Sequence, residues 1–161
     1  MISRKSLLSG DIRGKNVPLR PPWAVDESKF DDLCTNCGDC VTVCPVNILS
    51  LGRGRLPVVS FVKGECDFCG ECESACKANA LDKKVITHTW DLIAKIDDHC
   101  LALKKITCRT CEDQCDAGAI KFKLKVGGVA TPKISADECT GCGACFAPCP
   151  ANSITIEYNH S

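Results

Sequence analysis

The sequence predicts an α+β fold assembled from two tandem modules of short β-hairpins and short helices. Three observations predict it. Sixteen of the 161 residues are cysteine, and they fall into four runs with nearly the same spacing. Each run is followed by a similar short segment, so the chain repeats itself. Two of the intervals between runs read as β-hairpins around glycine turns. The remaining composition explains why crosslinks are needed. Hydrophobic residues are 45% with the cysteines counted and aromatic residues are 5%; without the cysteines roughly 35% is left for a conventional core, below the usual range. A core that thin needs support beyond buried side chains.

The elements follow in order. Residues 1–30 contain no cysteine and include Pro18, Pro21 and Pro22, which predicts an extended N-terminal arm pinned by Trp23 and Phe30. Asp26 and Glu27 in that arm read as a solvated acidic pair. Residues 31–81 form the first module, with the runs Cys34, Cys37, Cys40, Cys44 and Cys66, Cys69, Cys72, Cys76. Residues 82–99 form a packed linker, whose apolar spacing suggests a strand followed by a helix. Residues 100–161 form the second module, with Cys100, Cys108, Cys111, Cys115 and Cys139, Cys142, Cys145, Cys149.

Runs one, two and four are C-x2-C-x2-C-x3-C, whereas the third separates Cys100 from Cys108 by seven residues. After the fourth cysteines come Pro45 to Leu49, Lys77 to Leu81, Asp116 to Ile120 and Pro150 to Ile154. Ile48 to Leu51 and Leu56 to Val62, joined at Gly52-Arg53-Gly54, predict one hairpin. Ile120 to Val126 and Val129 to Ser135, joined at Gly127-Gly128, predict the other. The stretches Val41 to Val43, Glu73 to Ala75, Glu112 to Gln114 and Phe146 to Pro148 suit one or two helical turns each.

Three chemistries use this many cysteines: disulfides, zinc sites and iron-sulfur clusters. After Arg4 and Lys5 only Leu7 and Leu8 precede Gly10, too short an apolar run for a secretory signal, and no stretch approaches the ~20 apolar residues of a membrane span. A cytoplasmic protein with reduced thiols is therefore expected, with no membrane insertion. Twenty basic and twenty acidic residues give zero formal charge, and no footprint for nucleic acid. Four oxidised clusters with their thiolates would make the holoprotein roughly −8, so a partner should present a basic surface.

Three cysteines at successive x2 spacings, repeated without histidine in the runs, fit a tetrahedral zinc site poorly and a [4Fe-4S] cluster well. In the two-cluster ferredoxin arrangement the last cysteine of each run binds the other cluster. The chain thus reads as two tandem bacterial-type ferredoxin, or 2[4Fe-4S], modules with four clusters. The expected ligand sets are Cys34, Cys37, Cys40 with Cys76, and Cys66, Cys69, Cys72 with Cys44. In the second module they are Cys100, Cys108, Cys111 with Cys149, and Cys139, Cys142, Cys145 with Cys115. The loop from Leu101 to Thr107 leaves a second possibility for the third run, in which Cys100 is a plain buried thiol and three complete clusters remain.

Gly38, Gly70 and Gly143 each follow a second cysteine, where lack of a Cβ lets the backbone bend around a cluster. Pro45 and Pro150 follow a fourth cysteine, but Lys77 and Asp116 stand there in the other runs, so charges beside the clusters should differ. His88, His99 and His160 read as polar surface or linker residues, with His99 beside Cys100 the one alternative ligand. Trp23 and Trp90 read as core anchors. No phosphate-cradling loop and no nucleophile with an evident base is present, so the chain is not expected to be an enzyme.

Beyond the cysteine runs, Arg20-Pro21-Pro22-Trp23, Asp26-Glu27-Ser28, Phe30 and Trp90-Asp91-Leu92, together with the irregular third spacing, resemble the ferredoxin-type NapF family of the periplasmic nitrate reductase system. The resemblance covers nearly the whole chain. It implies a cytoplasmic iron-sulfur accessory protein that interacts with the catalytic subunit NapA before export and acts in its maturation. A general electron carrier is the other function expected. Ser3-Arg4-Lys5-Ser6-Leu7-Leu8 is loosely similar to a twin-arginine export motif, but Lys5 stands at the second arginine and the apolar run is missing, so export is not expected.

Overall fold

The computed structural model describes residues 18–86 and 89–159. The export-like segment 3–8, His88 and His160 lie outside these residues. Helix α1 (Glu27–Leu33) and the one-turn helix α2 (Asp39–Thr42) lead into β1 (Leu49–Leu51) and β2 (Pro57–Val59), with a 3-10 turn at 53–55 between the strands. The one-turn helix α3 (Glu71–Ser74), β3 (Leu92–Ile96), the one-turn helix α4 (Thr110–Asp113), β4 (Ile120–Lys123), β5 (Thr131–Ile134) and β6 (Ile154–Tyr158) follow.

The strands form three two-stranded antiparallel sheets, β1-β2, β3-β6 and β4-β5. Two are the hairpins expected from the glycine turns, with Leu49 opposite Val59 and Ile120 opposite Ile134. The third joins segments far apart in sequence, setting Leu92 opposite Tyr158 and Ile96 opposite Ile154. The strand expected in the 82–99 segment exists, but its partner is the last strand, which places it in the sheet of the second module. The helix expected after it is absent; residues 98–105 are turns. The first module has a miniature counterpart: Val25 N–H donates to the Ala80 carbonyl and Asp82 N–H to the Trp23 carbonyl, bridging Ala24 and Leu81.

The four segments after the fourth cysteines share one conformation. Asn47, Asn79, Gly118 and Asn152 have φ of 54°, 54°, 63° and 47°, the left-handed region that asparagine and glycine tolerate best. Each N–H returns to the carbonyl of the preceding fourth cysteine. The turn drives the next residue inward, and Ile48, Ala80, Ala119 and Ser153 are all buried. A left-handed residue three positions past the cysteine is therefore the physical basis of the repeat.

Of the arm, residues 1–17 lie outside the described residues; residues 27–30 belong to α1, and the described residues before them form a buried strap. Phe30 and Trp23 are buried as expected. Glu27 is not simply solvated: it takes both Nε and an Nη of the buried Arg20. The same guanidinium donates to the Pro57 carbonyl at 3.2 Å and lies 5.0 Å from the Phe30 ring centroid. The strap also crosses to the second module, since Arg20 N–H donates to Tyr158 Oη and Trp90 Nε1 donates to the Arg20 carbonyl. Arg20→Ala removes every guanidinium contact while leaving the backbone bonds, and is expected to destabilise the holoprotein by about 2–3 kcal/mol in denaturant titration.

The fourth run also departs from expectation, having turns in place of a helix at 144–148. Phe146 N–H bonds Gly143 and Cys149 N–H bonds Phe146, both tight i to i−3 contacts. Pro148 has no N–H with which to continue a helix.

Candidate metal centres

All sixteen cysteines are free thiols. The short helices α2, α3 and α4 each carry the third cysteine of a run, Cys40, Cys72 and Cys111. A left-handed glycine precedes the first two helices, but Arg109, at φ −134°, precedes α4. The Arg109 guanidinium pairs with Glu112 and lies 5.4 Å from the Phe122 ring centroid.

The folded chain gathers the thiols in fours. Burial, then Cys76, Cys34 and Cys37, pushes the Cys40 thiol up to about 11. Cys44 lines one recess with Cys66, Cys69 and Cys72. Burial pushes Cys66 and Cys72 up to about 12, the latter reinforced by Cys66, Cys40 and Cys69. Cys100, Cys108, Cys111 and Cys149 line a second recess, and burial with Cys100 raises Cys111 to about 11. Burial, then Cys142, Cys139, Cys111 and Cys115, raises Cys145 to about 12. The two recesses, one lined by Cys44, Cys66, Cys69 and Cys72 and the other by Cys100, Cys108, Cys111 and Cys149, each bring together three cysteines of one run and the last cysteine of the paired run.

The donor chemistry fits four-iron clusters. Four soft sulfurs converge in each group, and thiols so raised by burial and by one another need a bound cation to hold them as thiolates. Cys100 shares its recess with Cys108, Cys111 and Cys149. His99 is directed elsewhere: its exposed ring lies 3.4 Å from carboxylate oxygens of Asp97 and Asp98. Lys77 and Asp116 are both exposed beside their fourth cysteines.

Several residues at these centres carry no cysteine signal. Ser153 is buried with its hydroxyl 3.4 Å from Cys149 Sγ. Burial raises Cys149, but that hydroxyl and the N–H groups of Ser153, Ala151 and Asn152 outweigh it and lower the thiol overall. The repeat could have exposed Ser153, since the corresponding positions hold the apolar Ile48, Ala80 and Ala119. Lys83 Nζ lies 4.1 Å from the Trp23 ring centroid, beside Gly70. Phe61 and Phe68 each meet Trp90 edge to face, at 5.8 and 5.9 Å between centroids. Only the three-dimensional arrangement identifies Lys83, Phe61 and Phe68.

Comparison with known proteins points to the same class of cofactor. Residues 33–81 and 106–153 each match a family described as a 4Fe-4S dicluster domain. Over 159 residues the chain is 42% identical to the ferredoxin-type protein NapF of Escherichia coli K12, covering 99% of this chain and 96% of that protein. It is 46% identical over 157 residues to NapF of Haemophilus influenzae, covering 96% and 87% respectively. Identity to the ferredoxin-type protein NapG of Escherichia coli K12 is 31% over 165 residues, covering 90% and 71%. Two dicluster domains and sixteen free thiols make multiple [4Fe-4S] clusters the cofactors of this chain.

Proposed function

The chain belongs to the NapF family of ferredoxin-type iron-sulfur proteins, and from that membership we propose a cytoplasmic accessory protein that serves maturation of the catalytic subunit NapA before its export. Its sixteen cysteines hold four [4Fe-4S] clusters, in the sets Cys34/Cys37/Cys40/Cys76, Cys44/Cys66/Cys69/Cys72, Cys100/Cys108/Cys111/Cys149 and Cys115/Cys139/Cys142/Cys145. The observation that carries the reading is identity to NapF along almost the entire chain, outside the cysteine runs as well as within them.

Among the described residues no helix is long and apolar enough to cross a membrane. A ferredoxin-type chain carries electrons and is not itself a catalyst; its clusters, when bound, accept and return single electrons. The protein's residues set the environment for that exchange through burial, sulfur hydrogen bonds and neighbouring charge.

Anaerobically prepared holoprotein mixed with cluster-free NapA is expected to co-elute with it in a defined ratio in size-exclusion chromatography, and to release cluster-loaded NapA. Failure to bind either form, with rapid reversible reduction by a reductase, would overturn the maturation reading in favour of a general electron carrier. Iron and sulfide counted on the same preparation check the clusters independently: about sixteen of each are expected.

A further inference from the structure

The two modules touch through their cysteine loops. Cys66 N–H donates to the Cys142 carbonyl at 2.8 Å, joining the second and fourth runs. Phe61, 3% exposed, closes the contact from the first module, with Trp90 against its edge. Gly143 closes it from the second, at φ +85°, where an added Cβ would come within 2.1 Å of the Phe61 ring. A bulkier loop could not approach so closely. Two further adjacencies lie within the modules. Helices α2 and α3, which carry Cys40 and Cys72, pack against each other, and Cys111 and Cys115 pack against the apolar cluster that holds the buried Cys145.

We propose that the Cys66–Cys142 contact joins the four thiol sets into one unbroken line. Its order is Cys34/Cys37/Cys40/Cys76, Cys44/Cys66/Cys69/Cys72, Cys115/Cys139/Cys142/Cys145 and Cys100/Cys108/Cys111/Cys149. This deepens the reading above and rests on each set holding a cluster. Seven covalent bonds and the one hydrogen bond separate the sulfurs of Cys66 and Cys142, which keeps them within about 14 Å even at full stretch. The inner two sets therefore face each other across the module boundary, and the outer two lie at opposite ends. An electron supplied by a one-electron reductant at one end can leave to an acceptor at the other, with no net change in the protein.

The order has a spectroscopic signature that needs no turnover. Dithionite-reduced full-length protein is studied by electron paramagnetic resonance, where neighbouring reduced clusters broaden each other and an isolated one gives a narrow signal integrating to one spin. Cys37→Ala disables an outer set and leaves three neighbours in line, so no isolated signal is expected. Cys69→Ala disables an inner set and strands the first, so one isolated spin is expected. An isolated spin in Cys37→Ala would show two uncoupled modules and overturn the proposal. Should Cys37→Ala lose more than about four irons, Cys108→Ala tests the same junction from the other end with the same two outcomes. Iron in the unmutated chain separates the two levels of failure: about sixteen irons with uncoupled modules sinks the line alone, whereas zinc in place of iron sinks the cluster reading beneath it.

Discussion

Stripped of iron by an anaerobic chelator, the protein is expected to lose its cooperative fold. Its helices at the third cysteines are four residues long, far below the length at which a helix persists alone. Among the described residues its three sheets have two strands each, marginal without further packing. The buried clusters of side chains include Cys40, Cys66, Cys72 and Cys145, so the ligands are themselves core residues. Removing the metal leaves these thiols buried with nothing to bind, and ligand binding energy in such a chain is largely folding energy. Far-ultraviolet circular dichroism should show the transition vanish on chelation and return after reconstitution with iron and sulfide; a melting temperature unchanged within a few degrees would refute the expectation. Any fold left in the stripped chain should also weaken with rising pH. Folded thiols at about 11 to 12 hold their protons when thiols of the unfolded chain, near 9, have released theirs, so ionisation favours the unfolded state through that interval.

Cys100→Ala and Cys149→Ala are each expected to remove about four of some sixteen irons, and the double variant no more than either alone. The two cysteines belong to different runs yet line one recess with Cys108 and Cys111. Metal analysis on anaerobic protein decides the matter. A double variant that loses about eight irons would place them on separate clusters, and Cys100→Ala with full iron would return Cys100 to the role of a buried thiol. The expectation is strong because Cys100 is buried against this recess, while His99, its one nearby substitute, is exposed and turned toward Asp97 and Asp98.

Much of the site was legible from residue order. Cysteine spacing is a local quantity: residues three apart reach one face of a cluster whatever the rest of the chain does, and the segments after the fourth cysteines repeat visibly, although the left-handed turn at Asn47, Asn79, Gly118 and Asn152 that shapes them emerged only in the structure. The hairpins were legible for the same reason, since their turns lie between their strands. The arm was harder to read. Three prolines suggest extension, but the burial of Arg20 depends on Glu27, Pro57 and Phe30, which no short pattern connects.

Residue order is enough for the repeat, the two hairpins, the one-turn helices of the first three runs and the sixteen thiols with their grouping by run. Long-range packing sets the pairing of Leu92–Ile96 with Ile154–Tyr158, the passage of the strap across both modules, and the meeting of Cys66 with Cys142 beside Phe61 and Gly143. The physical reason is the reach of each interaction. Turns and ligand spacing are fixed by backbone geometry over a few residues, whereas strand pairing across some sixty residues and a close-packed loop contact depend on shapes that exist only after folding.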